Sequence, residues 1–113
     1  MAQESKRALD GGNEDSTDVD TQMERCRQRI DELDAKLIQL LNMRASCALR
    51  LGRLKESVGL DTYQPDREIA VLEQVRKENR GPLDAGAVTR LFERIIDESR
   101  RLERIAEEKG KPK

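Results

Sequence analysis

Arg44 and Lys55 stand eleven residues apart in the stretch "LLNMRASCALRLGRLK". On a helix that is about 1100° of rotation, so the two cations lie within about 20° of each other, some 16 Å apart along the axis. Leu40, Leu41, Cys47, Ala48, Leu51 and Leu54 form an apolar stripe on the same segment; Arg44 falls on that stripe and Lys55 at its far end. Both side chains can reach into one site between them. Ser99 and Glu103 form an i, i+4 pair beside a second apolar stripe, and "DRE" puts Arg67 and Glu68 in the first turn of another helix. An unpaired buried charge is costly, so charges converging from three segments point to an internal ligand or a salt-bridge network. Taken singly, each reads as a snorkelling or surface-paired side chain; it is the set, drawn from all three helices, that points to a site. Arg27 precedes Arg44 by 17 residues, about 100° around the helix and roughly 25 Å along it. It cannot share one small site with Arg44 in the same chain, but it can enter a partner's site if two long helices run antiparallel.

The elements that must position these residues follow from periodicity. From about Asp20 the helical pattern runs without Gly or Pro to Leu51 and, past Gly52, to Val58. That predicts one helix of nearly 40 residues, roughly 55–60 Å long, with Met23, Cys26, Ile30, Leu33 and Leu37 continuing its stripe. "VGLDTYQPD" breaks it. Pro65 suits the first turn of a second helix to about Asn79, capped by Gln64 or a neighbour and burying Ile69, Leu72 and Val75. After the turn "RGPL", Asp84 suits the N-cap of a third helix to about Glu107, with Val88, Leu91, Phe92, Ile95, Ile96 and Leu102 as its stripe. Residues 1–20 read as a disordered acidic tail, 21–108 as the folded domain and 109–113 as a flexible C-terminal tail. Helices so unequal in length leave the first overhanging with its stripe in water. A homodimer in which two long helices bury each other is the economical answer. An ordinary coiled coil fits less well, because strict heptads are not sustained and Arg44 and Lys55 sit badly in a dry seam.

Composition narrows the chemistry. The 113 residues include no His, no Trp, one Tyr and one Phe, and 40% are charged, which suits helices better than a sheet. The absence of His argues against a Ser-His apparatus, and no Cys pair has zinc-ligand spacing. Cys26 and Cys47 are 21 residues apart on one helix, too far for a disulfide, so both read as free, packed thiols. Residues 1–22 carry a net −4 and residues 23–113 a net +3. The mildly cationic folded part suits an anionic ligand, although most of its charges read as solvated faces. No basic cluster is interleaved with aromatics, so nucleic acid is a poor partner. Without an apolar signal core or a membrane-length apolar run, a cytoplasmic protein with no membrane association is expected.

The segments "RQRIDELDAKLIQLLNMR", "GRLKE", "PDREIAVLEQV" and "LFERIIDESRRLE" resemble the all-helical AroQ class of chorismate mutase, across about residues 23–106. The resemblance implies an all-α, three-helix chain with a very long first helix, forming an intertwined homodimer. It also implies an active site that uses no metal or cofactor. The helix-1 arginine given across the dimer matches Arg27. The second helix-1 arginine and its lysine match Arg44 and Lys55, the pair opening helix 2 matches Arg67 and Glu68, and the helix-3 pair matches Ser99 and Glu103. Gln64 stands where many members have aspartate, at a contact made largely through backbone. Glu103 stands where many bacterial members have glutamine.

The reaction so implied converts chorismate to prephenate, a unimolecular Claisen rearrangement in Phe and Tyr biosynthesis. Cations on both carboxylates of the substrate would hold its folded reactive shape, and arginine forks suit that task. Lys55 and Glu103 would face the ether oxygen, and Glu68 the ring hydroxyl. Isochorismate pyruvate lyase shares this fold and much of the site, and a weakly active regulatory partner of a shikimate-pathway enzyme is the alternative of another class. With no long segment after the third helix, no fused dehydratase or dehydrogenase domain is expected.

Overall fold

The computed structural model describes residues 18–110. They form three helices and no strand: α1 (Val19–Ser57), α2 (Pro65–Glu78) and α3 (Ala85–Gly110). The all-α, three-helix reading with a very long first helix holds. The expected tails fall mainly on residues 1–17 and 111–113, outside the described part. Residues 18–20 and 109–110, assigned to those tails from sequence, are instead helix cap and helix. The reason at the N-terminus is local: the Asp18 carboxylate accepts a hydrogen bond from the Thr21 amide at 2.8 Å, capping α1 one turn earlier than its apolar pattern begins. That backbone bond also holds the Asp18 carboxyl below its ordinary pKa.

The end of α1 is set by Gly59. Its φ of 75° is a left-handed turn open to glycine without strain, and it brings two amides back to the last carbonyls. Leu60 N–H donates to the Lys55 carbonyl at 2.8 Å and Gly59 N–H to that of Glu56 at 3.1 Å, the paired bonds of a Schellman cap. Gln64 occupies the N-cap of α2 with extended backbone, and its side chain makes no capping bond. Its carbonyl accepts from the amides of Arg67 at 3.1 Å and Glu68 at 3.3 Å, while Pro65 removes a donor that would have gone unpaired. Asp84 caps α3 as expected, accepting from the Ala87 amide at 2.7 Å.

Within residues 40–113, α2 packs on α3, and Arg76 donates to the Thr89 hydroxyl across that seam at 3.2 Å. Val88 is the single buried hydrophobic side chain among the described residues. Leu72, Val75, Phe92, Ile95, Ile96 and Leu102 are half-buried. Ile69 and Leu91, expected in the core, are 56% and 53% exposed, because each lies at the flank of its stripe where the α2–α3 seam does not reach. Residues 19–39 form a unit of their own, in which Met23, Ile30, Leu33 and Leu37 are all exposed. No helix among the described residues is long and apolar enough to cross a membrane.

Candidate active site

The last turns of α1, the loop before α2, the first turn of α2 and the middle of α3 enclose a cleft of about 270 Å³. Seven residues singled out from sequence line it: Arg44, Lys55, Gln64, Arg67, Glu68, Ser99 and Glu103. Arg27 is not among the lining residues; it is exposed and lies 3.8 Å from Glu24, one turn earlier on its own helix. The floor of the cleft is apolar, with Ala48, Leu51, Val71 and Ile96.

Arg44, Lys55 and Glu68 are each held by a specific partner. The Arg44 guanidinium donates to the Ser99 hydroxyl at 3.2 Å, joining α1 to α3. Lys55 Nζ donates to the Thr62 carbonyl at 3.3 Å. A carbonyl uses only one of the three ammonium donors, leaving two for a ligand. Since the Schellman cap also holds the Lys55 carbonyl, both ends of this residue are fixed by the same loop.

Glu103 rests against Gly52, the one buried residue of α1. A Cβ at position 52 would lie 3.2 Å from Glu103 Oε2, so the missing side chain is what lets the carboxyl lie on the helix. Burial there pushes the Glu103 carboxyl pKa above its ordinary value; the positive charges of Lys55 and Arg100 pull against that without cancelling it. A neighbouring cleft of about 320 Å³ opens on the other side of Glu103, lined by Arg53, Glu56 and Glu107 among others. With one cation against three carboxylates it does not suit an anion, whereas the first cleft presents four cations against two carboxylates.

The fourth cation, Arg100, is the one that sequence reasoning missed. It lines the cleft, pairs with Glu68 and lies over the Tyr63 ring, 5.1 Å from its centroid. The signal was present: residues 96, 99, 100 and 103 share one face of a helix, but Arg100 stands in an "SRRLER" run that reads as solvated charge. Cys26 and Cys47 are free, as expected, but both are exposed rather than packed, because the stripe they sit on is not covered by the described residues.

Known proteins resemble this chain over the region that holds the cleft. Residues 26–104 match the family described as chorismate mutase type II. The chain is 41% identical over 78 residues to a bifunctional chorismate mutase/prephenate dehydratase of Neisseria gonorrhoeae, covering 69% of this chain and 21% of that protein. It is 27% identical over 79 residues to a chorismate mutase of Methanocaldococcus jannaschii, covering 69% of this chain and 80% of that one. The solved structure of chorismate mutase (form II) from Thermus thermophilus superposes with a TM-score of 0.72 at 30% identity, over 74% of this chain and 94% of that one. The chain thus spans about a fifth to a quarter of the bifunctional relatives, 21% and 24% of the first two, and most of the two single-function proteins. A match over residues 26–104, embracing every residue of the cleft, places this chain in the chorismate mutase type II family.

Proposed function

We propose that this chain is a chorismate mutase that converts chorismate to prephenate, and that it works as a homodimer. The observation that carries the reading is the convergence of Arg44, Lys55 and Arg67 with Glu68, Ser99 and Glu103 on one small cleft with an apolar floor. A cleft of this size suits a single small molecule, and its cations suit a dicarboxylate. Binding both carboxylates holds the enolpyruvyl arm folded over the ring, so the rearrangement proceeds from an already compact reactant. As the C–O bond breaks, charge grows on the ether oxygen. Donors placed there stabilise the transition state more than the ground state; Lys55 and a protonated Glu103 take that role. Glu68 accepts from the ring hydroxyl. The reaction needs no covalent nucleophile, and none is assigned.

Purified protein supplied with chorismate and, separately, with isochorismate tests the reading. Prephenate from chorismate is the expected product. Salicylate and pyruvate from isochorismate, with no prephenate formed, would replace the mutase by the lyase. A rate that rises only on adding a shikimate-pathway enzyme would make the chain a regulated partner module.

The dimer is supported by how little one chain buries. Val88 is its only buried hydrophobic among the described residues, while Ile30, Leu33 and Leu37 are 54%, 43% and 52% exposed. A second copy laid antiparallel on that stripe covers it and carries Arg27 to the other chain's cleft. Inactive Arg27→Ala and inactive Arg44→Ala chains, mixed and allowed to exchange, are expected to recover about a quarter of wild-type activity. Half the dimers are then mixed, and each mixed dimer holds one intact site of two. No recovery despite verified exchange rules out a site built across the interface.

A further inference from the structure

We propose that Arg100 is a positioning residue of this site: its ion pair with Glu68 balances that carboxylate against an incoming dianion and fixes which oxygen faces the cleft. The inference rests on the mutase reading above and assigns work to a residue outside the set that the family resemblance supplied.

Glu68 poses the problem. Its carboxylate lies in the cleft that has to take a dicarboxylate, and like charges brought close together repel. Arg100 answers it from α3, donating from Nη2 to Glu68 Oε2. That leaves Oε1 to accept from a ligand hydroxyl. The two side chains are 31% and 29% exposed, so the pair is less screened than one in open solvent.

Arg100 is itself over-determined, as a positioning group must be. Its guanidinium lies over Tyr63 in the loop before α2, and its Nη1 is 3.8 Å from Asp97 Oδ1 one turn back on α3. One planar group thus meets a carboxylate with one amino group, faces a second carboxylate with the other, and presents its face to a ring. Lysine, a point charge on a flexible stem, cannot do all three. Ser99 and Glu103 flank it on the cleft face of α3, so the residue that orients Glu68 shares a helix with the group that anchors Arg44 and with Glu103.

Steady-state kinetics with chorismate on the full chain test this through Arg100→Gln, Glu68→Gln and the double variant, with circular dichroism to verify folding. Arg100→Gln is expected to raise KM about tenfold, the worth of one charge-assisted hydrogen bond, with a smaller change in kcat. In the Glu68→Gln background the same substitution is expected to change KM less than twofold, because the charge it balances is gone. An equal penalty in both backgrounds would show Arg100 acting on the ligand directly and overturn the inference, as would kcat/KM within twofold of wild type. Arg100→Lys serves in its place should Arg100→Gln not fold: a several-fold rise in KM that vanishes with Glu68→Gln supports the role, and no rise overturns it. A wild type silent on chorismate overturns both this inference and the mutase reading. An active wild type with an indifferent Arg100 overturns this inference alone.

Discussion

Lys55→Ala is expected to lower kcat/KM with chorismate by about 10²–10³-fold, the usual result of deleting one donor to a developing oxyanion, while leaving the circular dichroism spectrum unchanged. The structure explains why both halves should hold. The Schellman cap that ends α1 uses the backbone carbonyl of Lys55, not its side chain, so the helix stop survives truncation. The ammonium reaches the Thr62 carbonyl at 3.3 Å, an acceptor that orients the group but cannot take its proton. Two donors therefore stay aimed at the cleft with little reorganisation left to occur during the reaction. Most of the loss is expected in kcat, because the charge that Lys55 meets exists only as the C–O bond breaks. Lys55→Arg keeps the charge but moves the donors outward, and is expected to recover part of the rate. A loss of less than about fivefold in Lys55→Ala would remove this residue from the transition state.

Glu103 yields the second large effect, and its sign is set by protonation. An ionised carboxylate only accepts hydrogen bonds, so Glu103 assists a developing oxyanion only while it holds its proton. Burial against Gly52 raises its pKa and Lys55 and Arg100 lower it, with burial prevailing. The active form is therefore the protonated one, present at low pH and lost as pH rises through the Glu103 titration, which the raised pKa moves toward neutrality. A bound dianion adds negative charge beside the carboxyl and raises its pKa further, so the descending limb of kcat is expected at higher pH than that of kcat/KM. Glu103→Gln donates at every pH and is expected to flatten both profiles. A flat wild-type profile between about pH 5 and 8, spanning the range in which a raised carboxyl titrates, would exclude Glu103 as a proton-bearing donor.

How far the sequence reached differs from residue to residue. Arg44 and Lys55 were legible as partners because eleven residues is close to a whole number of helical turns, a relation that no tertiary contact can change. Asp84, Pro65 and the break after Val58 were legible because caps and stops are local chemistry. The Gln64 cap was legible only in position: its side chain is idle and its carbonyl does the work. Ile69 and Leu91 show the limit of an apolar stripe. Periodicity says which residues share a face, not how wide a strip of that face a neighbour covers.

By itself, then, the sequence determined the helical elements, their caps, the shared face of Arg44 and Lys55 and the family signature, all set by short-range geometry and side-chain type. Only the tertiary structure decided that Arg44 meets Ser99, 55 residues away, that Glu103 lies half-buried against Gly52, and that Arg100 turns from an apparent surface charge into the partner of Glu68. Those outcomes depend on which face of one helix meets which face of another, and on the distance between them, and neither is written in the period of any single helix.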